Sequence, residues 1–364
     1  MPPEKPHQKI FTELTQMIPL EKLRDSYYLL AQSHATNRLT HTVSQRISEP
    51  AQFDLFGDGR IEDENFRLFI RGYRELESGV KQSAAMLLDS LMIVATESGL
   101  DDTLVVLPLD RYMSMRGLSD EKEARAQINY DLNALERISF EYRAATKGKK
   151  RGPWLRVHIA GGTAGQIKNG DIIFRFNQDF YDSFKVGGEG NKYLYMYFPE
   201  EAMQGSIRAN PWKYWLARRI SEHKRMNMGK QNEDVIGVRT LIEGCPNYPS
   251  YNEVIENSRH ISKLIITPFE RDMDSLAPRI TWEYQGLTET PTDYQTFMDA
   301  NVIVHWKEYP KEAMARIEEG KKKRAQRQRA AKALIKDALS PAPRKKRVRP
   351  ASNAIPLPGM EDQV

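Results

Sequence analysis

The sequence predicts an α+β, helix-rich chain in which one small domain occurs twice in tandem, with flexible extensions at both ends. Three observations predict it. The hexapeptide Arg137-Ile138-Ser139-Phe140-Glu141-Tyr142 returns as Arg279-Ile280-Thr281-Trp282-Glu283-Tyr284, each copy alternating apolar and polar residues. Each copy follows a stretch with helical periodicity. Composition also shifts at both ends, toward Pro, His, Gln, Ser and Thr at the start and toward Lys and Arg at the close. The two copies lie much further apart than the roughly 20 to 50 residues of a solenoid repeat. Two readings fit them: duplication of a whole domain, or convergence of two half-buried strands on the residues such strands prefer.

At 364 residues the chain has room for two or three domains, each able to bury its own core. The net charge of +5 is unevenly spread. Residues 321–349 hold thirteen Lys and Arg against Asp337, a local charge of +12, while residues 1–320 carry −5. A polycationic tail on a mildly acidic body suits nucleic-acid phosphate or another polyanion, or serves as a solvated tail. The single cysteine, Cys245, excludes an internal disulfide and a multi-cysteine metal site. The most apolar stretch, Leu87 to Ala95, is broken by Asp89 and too short to span a bilayer. With no apolar leader, the expectation is a soluble, cytoplasmic protein without membrane contact.

Along the chain, residues 1–62 read as an extension with a helix candidate over 20–33, where Leu23, Tyr27 and Leu30 share a face. The first domain, 63–204, opens with a helix over 80–97 and a strand over 103–107. Pro108 starts a second helix that Gly117 ends, and Ser119 is placed to cap a third, which runs to about Glu136 with Ala124, Ile128, Leu132 and Leu135 inward. Strands follow over 138–143, 154–159 and 171–176, the first two flanking a basic turn with Lys147, Lys149, Lys150 and Arg151. Gly161-Gly162-x-x-Gly165 reads as a loop, since no helix follows it to cradle a phosphate. The second domain, 205–312, has a helix from Asn210-Pro211 through Arg225, short helices over 238–243 and 251–256, and a long one over 258–276 kinked at Pro268. Strands close it over 280–284 and 302–306, and the basic tail occupies 313–364.

Helix, strand, helix, helix, then a hairpin with a protruding loop is the order of a winged helix-turn-helix domain. Two such units resemble the replication initiators of theta-replicating plasmids, phages and integrative elements. The resemblance covers roughly residues 75–310. It is carried by Leu107-Pro108-Leu109-x-x-Tyr112-x-x-x-x-Gly117-Leu118 with the Ile138-Ser139-Phe140 strand. It is carried too by Val238-Arg239-Thr240-Leu241 through Tyr251-x-x-Val254 to Pro268-Phe269-Glu270-Arg271-Asp272. It implies a second domain that reads bases in repeated origin sites and a first that adds phosphate contacts and a dimer interface. It implies a homodimer in equilibrium with monomer, double-stranded DNA with direct repeats as ligand, a bacterial cytoplasm, and recruitment of the replicative helicase.

Carried onto this chain, the reading helix is 258–276, with Arg259, His260, Ser262 and Lys263 toward base edges. In the first domain Arg125 and Asn129 approach DNA from the third helix, and Lys147, Lys149, Lys150 and Arg151 from the wing. The second wing, 286–292, has Glu289 and no basic residue, so Arg218, Arg219, Lys224 and Arg225 are the alternative phosphate contacts there. For each of these a solvated surface position is the competing reading. Gln52-Phe53-Asp54-Leu55-Phe56 looks like a sliding-clamp peptide, Leu55 and Phe56 filling a pocket and Gln52 bonding at its edge, with Phe53 departing from the usual Leu. The same residues would also suit a strand docked on the first domain.

No catalytic constellation is legible: the seven histidines are dispersed, and neither His-Glu-x-x-His nor a Walker A motif occurs. The expectation is a DNA-binding initiator with no enzyme activity, metal or cofactor. A winged-helix transcriptional regulator without initiator activity is the alternative, and a tyrosine nickase a more remote one.

Overall fold

The computed structural model describes residues 27–32, 36, 39, 58–62, 66–76, 80–98, 100, 102–143, 154–167, 169–182, 195–243, 245, 248–257, 260–287 and 289–309. Every described residue lies in one compact unit within Met1–Pro310.

Its architecture is mixed α and β. Helix α1 (Gln82–Glu97) is buried at every residue from Ser83 to Thr96. A helix apolar all round belongs inside a fold, and its polar members are satisfied internally. Ser90 and Thr96 donate to the carbonyls of Met86 and Met92, at 2.8 and 2.6 Å. Strand β4 (Leu104–Leu107) and helix α2 (Leu109–Arg116) follow. Gly117 ends α2 at φ 62, a left-handed turn that costs glycine little. Helix α3 (Glu121–Glu136) is capped by Asp120, which accepts from the Glu123 amide at 2.9 Å, rather than by Ser119.

Four strands follow: β5 (Ile138–Arg143), β6 (Trp154–His158), β7 (Ala160–Gln166) and β8 (Ile172–Phe176). The glycine-rich segment expected as a loop is therefore strand β7, with a register irregularity between Ala160 and Ala164. Gly161 is required there, because a Cβ would fall 2.7 Å from the Phe176 carbonyl oxygen.

The hairpin β7–β8 joins β4 in a sheet of order β4-β8-β7. The β5–β6 hairpin instead enters a separate sheet with β2 (Gly59–Glu62) and β3 (Phe66–Ile70), in the order β2-β3-β5-β6. The second half repeats the first plan. After helix α4 (Gln178–Asp182) and strand β9 (Tyr195–Pro199) comes helix α5 (Lys213–Asn227), then strand β10 (Val235–Gly237), helices α6 (Val238–Ile242) and α7 (Tyr251–Asn257), and a helix described below. Strand β11 (Ile280–Tyr284), helix α9 (Tyr294–Asp299) and strand β12 (Asn301–Trp306) close it in a sheet of order β10-β12-β11. In both halves the strand after the first helix pairs antiparallel with the last strand, which is central. The repeated hexapeptide is not the marker of this repeat: β5 is an inner strand of the four-stranded sheet, and β11 is one of the two outer strands of the β10-β12-β11 sheet.

Residues 27–31, expected as part of a helix, form strand β1 (Tyr27–Ala31), paired antiparallel with β9 from Tyr27↔Pro199 to Ala31↔Tyr195. Tyr-Tyr-Leu-Leu favours a strand, and the partner edge of β9 overrides a weak helical periodicity. One continuous apolar core includes β1, α1, α5 and the second-half strands.

Candidate nucleic-acid interface

The helix expected over 258–276 begins at Ile261, takes a π turn at Ser262–Ile266 and continues as α8 (Thr267–Asp274). Proline has no amide hydrogen, and its ring clashes with the carbonyl four residues before it. A widened turn ahead of Pro268 accommodates that clash without ending the helix. Ile265, Ile266, Phe269 and Met273 are fully buried and fix the inner face. Asp272, also buried, accepts from the Trp212 amide at 2.7 Å and from Arg271 Nε and Nη2 at 3.0 and 2.9 Å, tying the helix to the start of α5. Burial pushes its carboxyl above the usual range, against those hydrogen bonds.

What this packing leaves outside is a polar stripe: His260, Ser262, Lys263 and Thr267 are exposed, with Leu264 at 39%. Three of the four residues expected to reach base edges thus share the free surface at the start of this helix. The fourth, Arg259, lies outside the described residues. Also outside them are Lys147, Lys149, Lys150 and Arg151 of the basic turn, the peptide Gln52 to Phe56, and the basic tail.

In the first half, α3 presents Asn129 to solvent and Arg125 partly so. Both already hold the β7–β8 turn. Arg125 Nη2 donates to the Asn169 carbonyl at 2.7 Å and pairs with Glu121 at 2.6 Å, while Gln166 Nε2 donates to Asn129 Oδ1 at 2.9 Å and to the Arg125 carbonyl at 2.8 Å. Gly170 sits in that turn at φ +92, where a Cβ would lie 2.5 Å from Arg125 Cζ. The hairpin braced against α3 is therefore β7–β8, while β5 and β6 belong to the other sheet.

Four cations were expected on α5, and the structure withdraws two. Arg218 is 1% exposed and bound to Asp89, with the Tyr214 hydroxyl donating to the same carboxylate at 2.7 Å. Lys224 is buried between Glu233 and Asp234, at 2.8 and 2.7 Å. Neither meets a phosphate in this conformation. Helix periodicity turns both to the side that packs on the core, which charge alone does not reveal. Arg219, 3.6 Å from Glu222, and Arg225 stay partly accessible.

Two buried polar groups escaped the sequence reading. Asp131 on α3 is fully buried, accepting from Ser83 Oγ and Gln127 Nε2, both at 2.9 Å. Burial raises its pKa to about 7. Arg116, also buried, donates to the Met203 carbonyl at 3.2 Å and the Tyr112 hydroxyl at 2.9 Å. The signal for Asp131 was its place among Ile128, Leu132 and Leu135 on the apolar face of α3. Cys245 is buried, 3.4 Å from the Leu241 carbonyl, its thiol pushed far up by burial. Among the described residues no group of His, Cys, Asp and Glu has the arrangement to hold a metal ion, and no helix is long and apolar enough to cross a membrane.

No protein-family model matches the sequence, and no curated protein does. Solved structures similar to it include domains 2 and 3 of RctB as a selenomethionine derivative, at TM-score 0.41 and 13% identity, covering 74% of this chain and 98% of that one. A second structure of RctB domains 2 and 3 gives TM-score 0.39 and 12% identity, with coverage of 74% and 96%. The Pi initiator protein in complex with iteron DNA gives TM-score 0.36 and 9% identity, with coverage of 67% and 97%.

Proposed function

We propose that this chain is a sequence-specific DNA-binding replication initiator of a plasmid, phage or integrative element, built on two winged-helix units. The observation that carries the reading is the plan that occurs twice: a helix, a strand, further helices, and a hairpin whose last strand returns beside the first. In the second unit this plan leaves the stripe His260, Ser262, Lys263 and Thr267 on the open side of a helix fixed from behind by Phe269 and Met273. An α-helix fits the major groove, where Lys suits guanine and Ser or Thr suits several edges. The first unit, with α3 braced on β7–β8, adds contacts to the backbone. Direct repeats would let several molecules load side by side, and helicase and clamp recruitment would follow, the latter through Gln52, Leu55 and Phe56.

The test is footprinting of the full chain on DNA flanking its own gene. Protection of direct repeats beside an AT-rich segment, in a fragment that sustains a minimal replicon only with the intact gene, supports an initiator. Protection of an operator with altered transcription and no replication would make the chain a regulator instead. Lys263→Ala is expected to weaken specific binding by about 1–3 kcal/mol and to change non-specific binding little. Equal weakening on both DNAs would remove Lys263 from base reading.

A further inference from the structure

The sheet β2-β3-β5-β6 has a core face and an outer face. Phe66, Leu68, Ile70, Ile138, Phe140 and Val157 point inward and are buried. Strand alternation sends their neighbours the other way, and those neighbours are basic and aromatic. In the register, Arg60 lies opposite Phe69, Phe69 opposite Ser139, and Ser139 opposite His158. The next row runs from Glu62 through Arg67 and Glu141 to Arg156. Guanidinium groups stand over both rings: Arg60 and Arg156 lie 5.4 and 5.1 Å from the Phe69 centroid, and Arg67 lies 4.0 Å from that of Trp154. The small Ser139 between Phe69 and His158 leaves space for Arg156 to cross to the Phe69 ring. Arg60, Arg156 and His158 are exposed, and Phe69 and Trp154 half-buried.

We propose that this outer face binds single-stranded DNA, with bases stacking on the guanidinium planes that cover Phe69 and Trp154, and with the N–H edges of Arg60, Arg67 and Arg156 meeting the phosphates. An antiparallel sheet that spaces aromatic rings and cations in adjacent rows offers unpaired bases a π face and the backbone a positive field. A duplex keeps its bases stacked inside and has no use for the rings. Glu141, 3.4 Å from Arg67, and Glu62, in register with Arg67, lie within the row, and the three arginines Arg60, Arg67 and Arg156 outnumber these two acids. An acidic peptide would engage the arginines without needing two rings, and a second copy of this face would bring like charges together. The choice of DNA over RNA rests on the proposed role in replication; the site itself does not.

The test is fluorescence anisotropy of the full chain with labelled oligothymidine about twenty nucleotides long, oligouridine of the same length, and a mixed-sequence duplex. Arg60→Ala/Arg156→Ala is expected to weaken oligothymidine binding at least tenfold, to lower its salt slope by about 1.4, and to leave duplex binding within about twofold. Trp154→Ala is expected to lose roughly tenfold, and Trp154→Phe to retain most of the affinity. Both arginines are exposed, so the double variant should fold, which an unchanged thermal transition verifies. Unchanged oligothymidine binding in the folded double variant would overturn the proposal. So would an equal loss on duplex, tighter binding of oligouridine, or a changed sedimentation state without change in oligothymidine affinity. A chain that binds oligothymidine through this face yet protects no repeats keeps the site and loses the initiator; the reverse result keeps the initiator and loses the site.

Discussion

Asp89 and Arg218 meet in the core at 2% and 1% exposure, joined there by the Tyr214 hydroxyl, with Gln32 Oε1 3.3 Å from Arg218 Nη2. Burial pushes the Asp89 carboxyl above the usual carboxylate range, and Arg218 and Tyr214 oppose it. Removing one partner strands the other charge, so Asp89→Asn is expected to cost about 3–5 kcal/mol in urea unfolding, while Asp89→Leu/Arg218→Met recovers much of that loss. If the double variant is as unstable as the single one, the pair is not the source. Asp131 makes a pH-dependent contribution of known sign. Its pKa of about 7 in the folded chain exceeds the unfolded value near 3.8, so the native state holds the proton more tightly. The protein is therefore fully spared below about pH 4, loses stability as pH rises toward 7, and carries the whole penalty above that. Asp131→Asn should flatten this window in unfolding measured from pH 4 to 8, gaining most at the upper end; an unchanged pH profile would refute the assignment.

At the scale of elements, the β7–β8 turn depends on its contacts with α3. Gly170 occupies the left-handed region where a methyl group meets Arg125 and Leu109, both at 2.5 Å. Gly170→Ala is expected to destabilise the fold by about 1–3 kcal/mol. It should release Arg125 from Asn169, seen as faster amide exchange at Gly170 and Asp171. Helices α1, α2 and α3 were legible from apolar periodicity and from start or stop residues such as Pro108 and Gly117, although the cap of α3 was read one residue early, at Ser119 instead of Asp120. Strand β7 was not, because Ala160 to Gln166 has no apolar alternation and is made a strand by the edge of β8. A wing was expected on β5–β6 because that hairpin follows α3 directly, and sequence order cannot say that β7–β8 is the hairpin that joins β4.

For the molecule as a whole, β1 bridges the two repeated plans. It pairs with β9 and packs on α1, while Tyr27 donates to the carbonyls of Lys307 and Arg279 at 2.6 and 3.3 Å. Its ring contacts Trp306 and Tyr309 at 6.2 and 5.9 Å. With the Asp89–Arg218 pair also crossing between the halves, the two plans share one core. Residues 27–309 should then unfold in one transition, with tryptophan fluorescence and circular dichroism coinciding; two resolved steps would show the halves to be independent. Tyr27→Phe is expected to lower the midpoint by the equivalent of about 1 kcal/mol.

The sequence by itself determined the helices with strong periodicity, the exposed stripe from His260 to Lys263, and the sense that a plan occurs twice. These follow from local preferences, which act over a few residues and can be read in order. Only the tertiary structure decided that β1 belongs to the core, that Arg218 and Lys224 face inward, and that the recurring hexapeptide falls on strands with different neighbours. Each of those depends on a partner far along the chain: β9 for β1, Asp89 for Arg218, β3 and β12 for the two hexapeptides. A residue's own chemistry sets what partner it needs, and the fold alone settles which one it finds.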